Sequence, residues 1–213
     1  MRTYGEYCSI AKPLDVVGDR WTLLIVRELL IRGGSRYTDL RDGLPGIATN
    51  LLSDRLRELE SAGLIRREEA PPPIATALFH LTETGAELAP VLDAFYRWGL
   101  RYMAEPPSGD AFRGHWFAFS IWSLQDRDPD GPPASVELRA ASTPVSVDVA
   151  GGKVSMRLGP ALAPDLVLSG EPRLILGMFN GFITAAEAVD LGLDISGDVD
   201  VLLRILPEVA AAT

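Results

Sequence analysis

A chain of 213 residues, 47% hydrophobic and 23% charged, is long enough for two domains of about 100 residues that each bury a core, and 29 acidic against 20 basic side chains leave a net charge of −9. One cysteine cannot close an internal disulfide, and two histidines with no Ser/His/Asp or Cys/His order give no basis for a metal site, a cofactor or enzyme activity. No run approaches about 20 apolar residues and no basic-then-apolar signal opens the chain, so a cytoplasmic protein with no membrane contact is expected.

Residues 21–30 have too many apolar positions for a surface helix and fit one buried on several sides. After Gly33-Gly34, residues 37–42 read as a short helix closed by Gly43, and Leu44-Pro45-Gly46-Ile47 as a turn that can set two helices at a steep angle. The next helix spans 49–62. Leu52, Leu56 and Leu59 at i, i+4 and i+7 form its packing stripe, while Asn50, Asp54, Arg57 and Ser61 fall on the opposite face. Thr49, Asn50 and Ser53 in its first turns carry short hydrogen-bonding side chains suited to base edges. Gly63 stops the helix. Residues 64–69 and 77–81 then read as two strands around Ala70-Pro71-Pro72-Pro73-Ile74, a hairpin with a stiff tip. Arg66 and Arg67 at its base are placed to meet phosphates or a minor groove.

Helix, turn, polar-faced helix and basic hairpin follow one another at the spacing of a winged helix-turn-helix, an architecture that puts one helix into a DNA groove. The candidate DNA-facing residues are Arg36, Thr49, Asn50, Ser53, Asp54, Arg55, Arg57, Arg66 and Arg67. For Asn50, Asp54 and Arg57 two readings stay open: contact with a base, or mere exposure, with Arg57 paired to Glu58 or Glu60. Residues 1–104 hold 13 Arg/Lys against 14 Asp/Glu, and residues 105–213 hold 7 against 15. Affinity for DNA must then come from a local basic face and from two copies acting together, with the acidic second half directed away.

Thr82 is expected to cap a helix over 83–103, whose Leu88, Val91, Leu92, Phe95, Trp98 and Tyr102 form a wide apolar stripe. That stripe packs either within its own subunit or against a second copy. Glu105-Pro106-Pro107-Ser108-Gly109 breaks regularity and marks a linker. The expected organisation is a first domain over 1–104, a linker over 105–111 and a second domain over 112–213.

The second domain opens with an aromatic helix over 112–124 and a Pro-rich polar loop over 126–133. Residues 135–139, 145–149 and 154–158 alternate apolar and polar side chains as strands do, with Gly151-Gly152 as a hairpin turn. A fourth strand over 165–169 leads through Glu171-Pro172 into a helix over 173–179. A helix over 184–191, a short strand over 193–196 and a helix over 198–206 complete it.

Several ordered stretches resemble the HxlR-type winged-helix transcription regulators, a branch of the wider MarR-like group. They are Cys8-Ser9-Ile10-Ala11, Leu14 through Ile25, Arg36-Tyr37-Thr38-Asp39-Leu40, Pro45-Gly46-Ile47, Leu52 through Glu60, and Leu81-Thr82-Glu83-Thr84-Gly85 with Trp98-Gly99 after it. The resemblance covers roughly residues 7–103. It implies a homodimer joined by the N-terminal segment and the last helix of the domain, bound to a palindromic operator in double-stranded DNA. One departure is that the family commonly opens its reader helix with a Ser cap and a Pro or Lys, where this chain has Ala48-Thr49-Asn50; Thr49 is expected to take the cap. The resemblance also makes Cys8 a candidate redox sensor, since relatives carry a cysteine there that some use against oxidants. The alternative is a small half-buried residue at the dimer contact.

Pro164 through Pro172, then Gly181, Ala188, Gly192 and Ile195-Ser196-Gly197-Asp198, resemble the sterol carrier protein-like domain over roughly 110–207. The fold this implies for the whole chain is α+β, a winged helix-turn-helix followed by an α/β sandwich with an antiparallel sheet. In that fold an apolar or acyl ligand would lie among Trp116, Phe119, Trp122, Met178, Phe179, Phe182 and Ile183, or the same seven side chains simply fill the core. Two functions follow: a dimeric DNA-binding regulator whose second domain senses a small apolar ligand, or a lipid-binding or interaction protein in which the helix-turn-helix is only a scaffold.

Overall fold

The computed structural model describes residues 3–69, 71, 76–103, 110–125 and 129–206. The chain divides into two compact units, Met1–Leu100 and Arg101–Thr213. Residues 105–109 of the expected linker 105–111, residues 126–128 of the expected polar loop, and the hairpin tip apart from Pro71 lie outside the described residues.

The first unit runs α1 (Ala11–Val17), α2 (Thr22–Arg32), β1 (Ser35–Arg36), α3 (Tyr37–Gly43), α4 (Thr49–Ser61), β2 (Ile65–Glu69), β3 (Ala77–Leu81), α5 (Glu83–Ala86) and α6 (Ala89–Gly99), with a 3-10 turn Leu100–Tyr102 after it. Ile25 and Leu29 of α2, Leu40 of α3 and Leu52, Leu56 and Leu59 of α4 pack into one apolar cluster with Ile65 and Phe79 of the hairpin. Each buried Leu contributes about 1.5–3 kcal/mol, so α4 is anchored along its full length and its other face is left outside. Gly63, with φ of +71°, ends α4 in the left-handed conformation that a side chain would resist. The chain then turns into β2, whose five residues pair antiparallel with β3 from Ile65↔Leu81 to Glu69↔Ala77. The two-residue β1 adds to the other edge of β3, so the wing is a three-stranded sheet of order β1-β3-β2.

The helix expected over 83–103 is two helices. Thr82 does cap the first, accepting from the Gly85 N–H, but α6 starts afresh at Ala89 with Pro90 in its first turn. Proline has no N–H to give the carbonyl four residues back, so the ladder cannot run through it.

The second unit contains a 3-10 segment Gly114–Phe117, α7 (Ala118–Trp122), β4 (Ala134–Arg139), β5 (Val145–Ala150), β6 (Lys153–Leu158), β7 (Leu166–Ser169), α8 (Pro172–Phe179), α9 (Ala185–Asp190), β8 (Asp194–Gly197) and α10 (Val199–Ile205). The aromatic helix expected over 112–124 is thus shorter. Arg113 is extended, and Gly114 packs so close that an added Cβ would meet Val145 at 2.8 Å, which draws the first residues off any regular helix. The sheet order is β6-β5-β4-β7-β8. It is mixed rather than antiparallel, because β7 lies parallel to β4 while every other pair is antiparallel. A meander of three strands leaves β6 at one edge, and the chain returns past β5 to reach the far side of β4.

That return, over 159–165, explains two buried polar side chains on the sheet. The Ser146 hydroxyl donates to the Gly159 carbonyl at 2.7 Å, and the Ala161 N–H donates to Glu137 Oε2 at 2.7 Å. The Arg139 guanidinium, and after it the Ala161 N–H, hold the Glu137 carboxyl below the usual range against the opposing effect of burial. On the sheet's other face, Val136, Leu138, Val147, Leu166 and Leu168 meet Ile175 and Phe179 of α8 and Leu202 of α10 in a second apolar cluster.

Candidate nucleic-acid interface

Two elements of the first unit present polar side chains outward from a fixed base. On α4, Leu52, Leu56 and Leu59 are buried, and Thr49, Asn50, Asp54, Arg57 and Ser61 are exposed. Ala48, not Thr49, occupies the N-cap, and no side chain caps the helix. Thr49 instead offers its carbonyl to the Tyr37 hydroxyl at 2.7 Å and to the Ser53 hydroxyl at 3.0 Å, which ties the first turn to α3. Ser53 is therefore engaged within the domain and half-buried. Asn50 Oδ1 accepts from the Leu51 N–H at 3.0 Å, and its NH2 makes no hydrogen bond among the described residues.

The arginines divide by environment. Arg57 Nη2 lies 2.5 Å from Asp54 Oδ1, one turn back on the same helix, rather than on Glu58 or Glu60. Arg66 pairs with Glu68, and Arg67 Nη2 lies 2.7 Å from Glu69 Oε1. All three guanidinium groups are at least half exposed. Arg55 is different. Its side chain is only 20% exposed and pairs with both Asp19, before α2, and Glu58. It clamps α4 to the scaffold and does not share the outward face. Arg36 is exposed at the start of α3 and makes no ion pair among the described residues, and its N–H donates to Asp39 Oδ2 at 3.0 Å.

Beneath this surface lies a buried charge that no local pattern in the sequence announces. Glu28 of α2 has no exposed surface, accepts from Arg27 at 2.8 Å and from Arg32 at 3.1 Å, and Arg27 Nη2 reaches on to the Gly43 carbonyl at 3.3 Å. Burial draws the Arg27 guanidinium below its ordinary value, and the Glu28 charge opposes that shift. The i, i+4 spacing of Glu28 and Arg32 is visible in the sequence, but nothing in it tells an exposed pair from a buried one.

A model of the HxlR-like helix-turn-helix matches residues 16–106. The HTH-type transcriptional regulator sll1512 of Synechocystis sp. is 36% identical over 101 residues, covering 47% of this chain and 74% of its own length. YvaP of Bacillus subtilis, of the same description, is 34% identical over 100 residues, covering 46% of this chain and 92% of itself. The chain belongs to the HxlR-like family. A further HTH-type regulator, from Methanothermobacter thermautotrophicus, is 37% identical over 98 residues, 46% of this chain and 74% of its own. Each of these matches spans just under half of the present chain, so membership is shown for the winged helix-turn-helix and not for the second unit.

For an HxlR-like chain the other expected sites read as follows. Cys8 is exposed, and the N–H groups of Ala11 and then Ile10 hold its thiol below the ordinary value. Tyr7, Ile10, Val91, Phe95 and Trp98 are exposed apolar side chains, with the Phe95 and Trp98 rings 5.6 Å apart. Leu92 is the residue of the α6 stripe that is buried within the single chain, with Leu88 packed against the core. In the second unit, the seven expected lining residues do not share one surroundings. Phe119, Met178 and Phe179 are buried, Trp116 and Ile183 are intermediate, and Trp122 and Phe182 are exposed. Among the described residues no group of three or more His, Cys, Asp or Glu is arranged to hold a metal ion, and no helix is long and apolar enough to cross a membrane.

Proposed function

We propose that this chain is a dimeric, sequence-specific DNA-binding transcription regulator that lays α4 in a major groove and the β2–β3 wing along the adjoining backbone. The observation that carries the reading is the division of α4 within an HxlR-like domain: one face is buried by Leu52, Leu56 and Leu59, and the other presents Asn50, Asp54 and Arg57. Asn50, with its NH2 uncommitted, suits a base-edge acceptor; Arg57, Arg66 and Arg67 suit phosphates, and Arg36 adds a further exposed cation. The exposed apolar side chains of the N-terminal segment and α6 support the dimer.

For the second unit the sterol carrier protein-like reading is supported by the turns: Pro172 opens α8, and Asp198 caps α10 by accepting from the Asp200 N–H. Support for an apolar ligand acting on the regulator is thinner, because the seven lining residues split between core and surface. Native mass spectrometry of the purified protein tests it, a co-purified lipid or acyl chain being the expected result.

Fluorescence anisotropy with the intergenic DNA beside the gene, and with random duplex, tests the main reading. Arg66→Ala with Arg67→Ala should weaken binding to both DNAs and flatten the salt slope by about one unit per lost phosphate contact. Asn50→Ala should instead change the preferred base, at about 1–3 kcal/mol. A protein that binds no duplex above background sinks the reading and leaves the helix-turn-helix a scaffold for a lipid-binding or interaction protein.

A further inference from the structure

The outward arginines of α4 and of the wing, Arg57, Arg66 and Arg67, come with their own anions. In β2 the order Arg66-Arg67-Glu68-Glu69 puts Arg66 and Glu68 on one face of the strand and Arg67 and Glu69 on the other, since side chains alternate. Each arginine closes on the acid of its face, Arg66 on Glu68 and Arg67 on Glu69 at 2.7 Å. The side chains of all four are between 53% and 71% exposed, so both pairs stand in solvent, where such pairs are weak and open readily. His80, opposite Arg66 in the hairpin register, brings Nε2 to 3.8 Å from the Glu68 carboxylate. Arg66 holds the Glu68 carboxyl below the usual range, so it is ionised at neutral pH. The described strand β2 therefore offers DNA two guanidinium groups and no net charge.

We propose that Glu68 and Glu69 set the DNA affinity of the wing by competing with phosphate for Arg66 and Arg67. This rests on the reading of the chain as a DNA-binding regulator and says how its interface is tuned. A phosphate must displace a carboxylate that remains tethered two residues away, so little is gained where only backbone is met. Random DNA offers nothing more. At the operator, α4 adds base contacts that carry the exchange through, so the acids raise the ratio of operator to random binding while lowering both affinities. The chain's overall acidity and the wing's arginines are then two parts of one arrangement, with attraction confined to sites that α4 recognises.

The test is a salt titration of operator and random-duplex binding for wild type, Glu68→Gln with Glu69→Gln, Arg66→Ala with Arg67→Ala, and all four together. Glutamine keeps size and removes charge, and at these exposed positions all four proteins should melt alike. The glutamine variant should bind random duplex about tenfold more tightly at low salt, steepen the salt slope by about one to two units and bring operator and random affinities closer together. In the Arg66→Ala, Arg67→Ala background most of that gain should vanish, because the acids act through the arginines. An equal gain in both backgrounds would mean simple repulsion of DNA and overturns the proposal, as does no gain at all. If the alanine variant weakens binding while the glutamine variant is silent, this inference alone fails. If wild type binds no duplex, the functional reading fails with it.

Discussion

Glu28 of the first unit is a carboxylate without exposed surface, a position tolerable only while charged partners such as Arg27 and Arg32 hold it. Glu28→Ala should cost about 3–5 kcal/mol in a urea melt, because the largely covered Arg27 loses its counter-charge along with the hydrogen bonds. Gly43 belongs to the same arrangement. An added Cβ would stand 2.0 Å from Glu28 Oε2, so Gly43→Ala must push the carboxylate off its partners at a cost of about 1–3 kcal/mol. A Gly43→Ala protein as stable as wild type would show that the carboxylate can move without loss. The sequence marks Gly43 as a helix stop, and it is the last residue of α3. What the sequence hides is that its missing side chain makes room for an acid fifteen residues earlier. The same limit applies at the interface. The outward set Asn50, Asp54 and Arg57 is legible from period alone, whereas the inward pull on Arg55 depends on Asp19, which only the tertiary fold brings near.

Elements with a strong internal period were legible and those defined by a partner were not. The packing stripe of α4 and the alternation of β4, β5 and β6 locate those elements to within about a residue, as expected where burial and period agree. The strand β1 has two residues and exists because β3 has an edge to fill, so no local pattern announces it. The parallel pairing of β7 with β4 likewise depends on the path of 159–165 across the sheet. Helix α9 shows how a local motif can carry a short element. Thr184 Oγ1 accepts from the Glu187 N–H at 3.1 Å while Glu187 Oε2 accepts from the Thr184 N–H at 2.8 Å, a reciprocal cap on six residues. Thr184→Ala should destabilise the second unit by about 1 kcal/mol. The Thr184 N–H, and then its hydroxyl, hold the Glu187 carboxyl below its ordinary value. A carboxyl lowered in the folded state contributes stability above its unfolded pKa, about 4.3, and loses that contribution as pH falls through the lower folded value. The difference in melting temperature between wild type and Glu187→Gln should therefore be largest near neutral pH and shrink below about pH 4. A difference that stays constant from pH 7 to pH 3 would remove the charge from the account of the cap.

At the scale of the molecule, the problem is how a chain with a net charge of −9 reaches a polyanion. Residues 105–213 hold 15 of the 29 acids and only 7 of the 20 bases, so the first half is close to neutral, and Arg57, Arg66 and Arg67 are already paired. One such domain has little non-specific affinity to offer. Two domains fixed on a two-fold axis change the arithmetic, because the second half-site is then met at the effective concentration set by the first. Half-sites about one helical turn apart suit two copies of α4 related in this way. In the proposed dimer the surface for such a contact is Tyr7 and Ile10 ahead of α1 together with Val91, Phe95 and Trp98 on α6, all exposed in the single chain. Because they are exposed, Phe95→Glu and Trp98→Glu should leave each subunit folded, with an unchanged circular dichroism spectrum, while light scattering reports the mass of one chain instead of two. Operator affinity should then fall by a factor of about 100 or more, toward that of a half-site. Binding to an isolated half-site should stay as it was, which separates loss of the dimer from damage to α4. A folded monomer that grips the full palindrome as tightly as wild type would show that the two-fold contact lies elsewhere or is not needed.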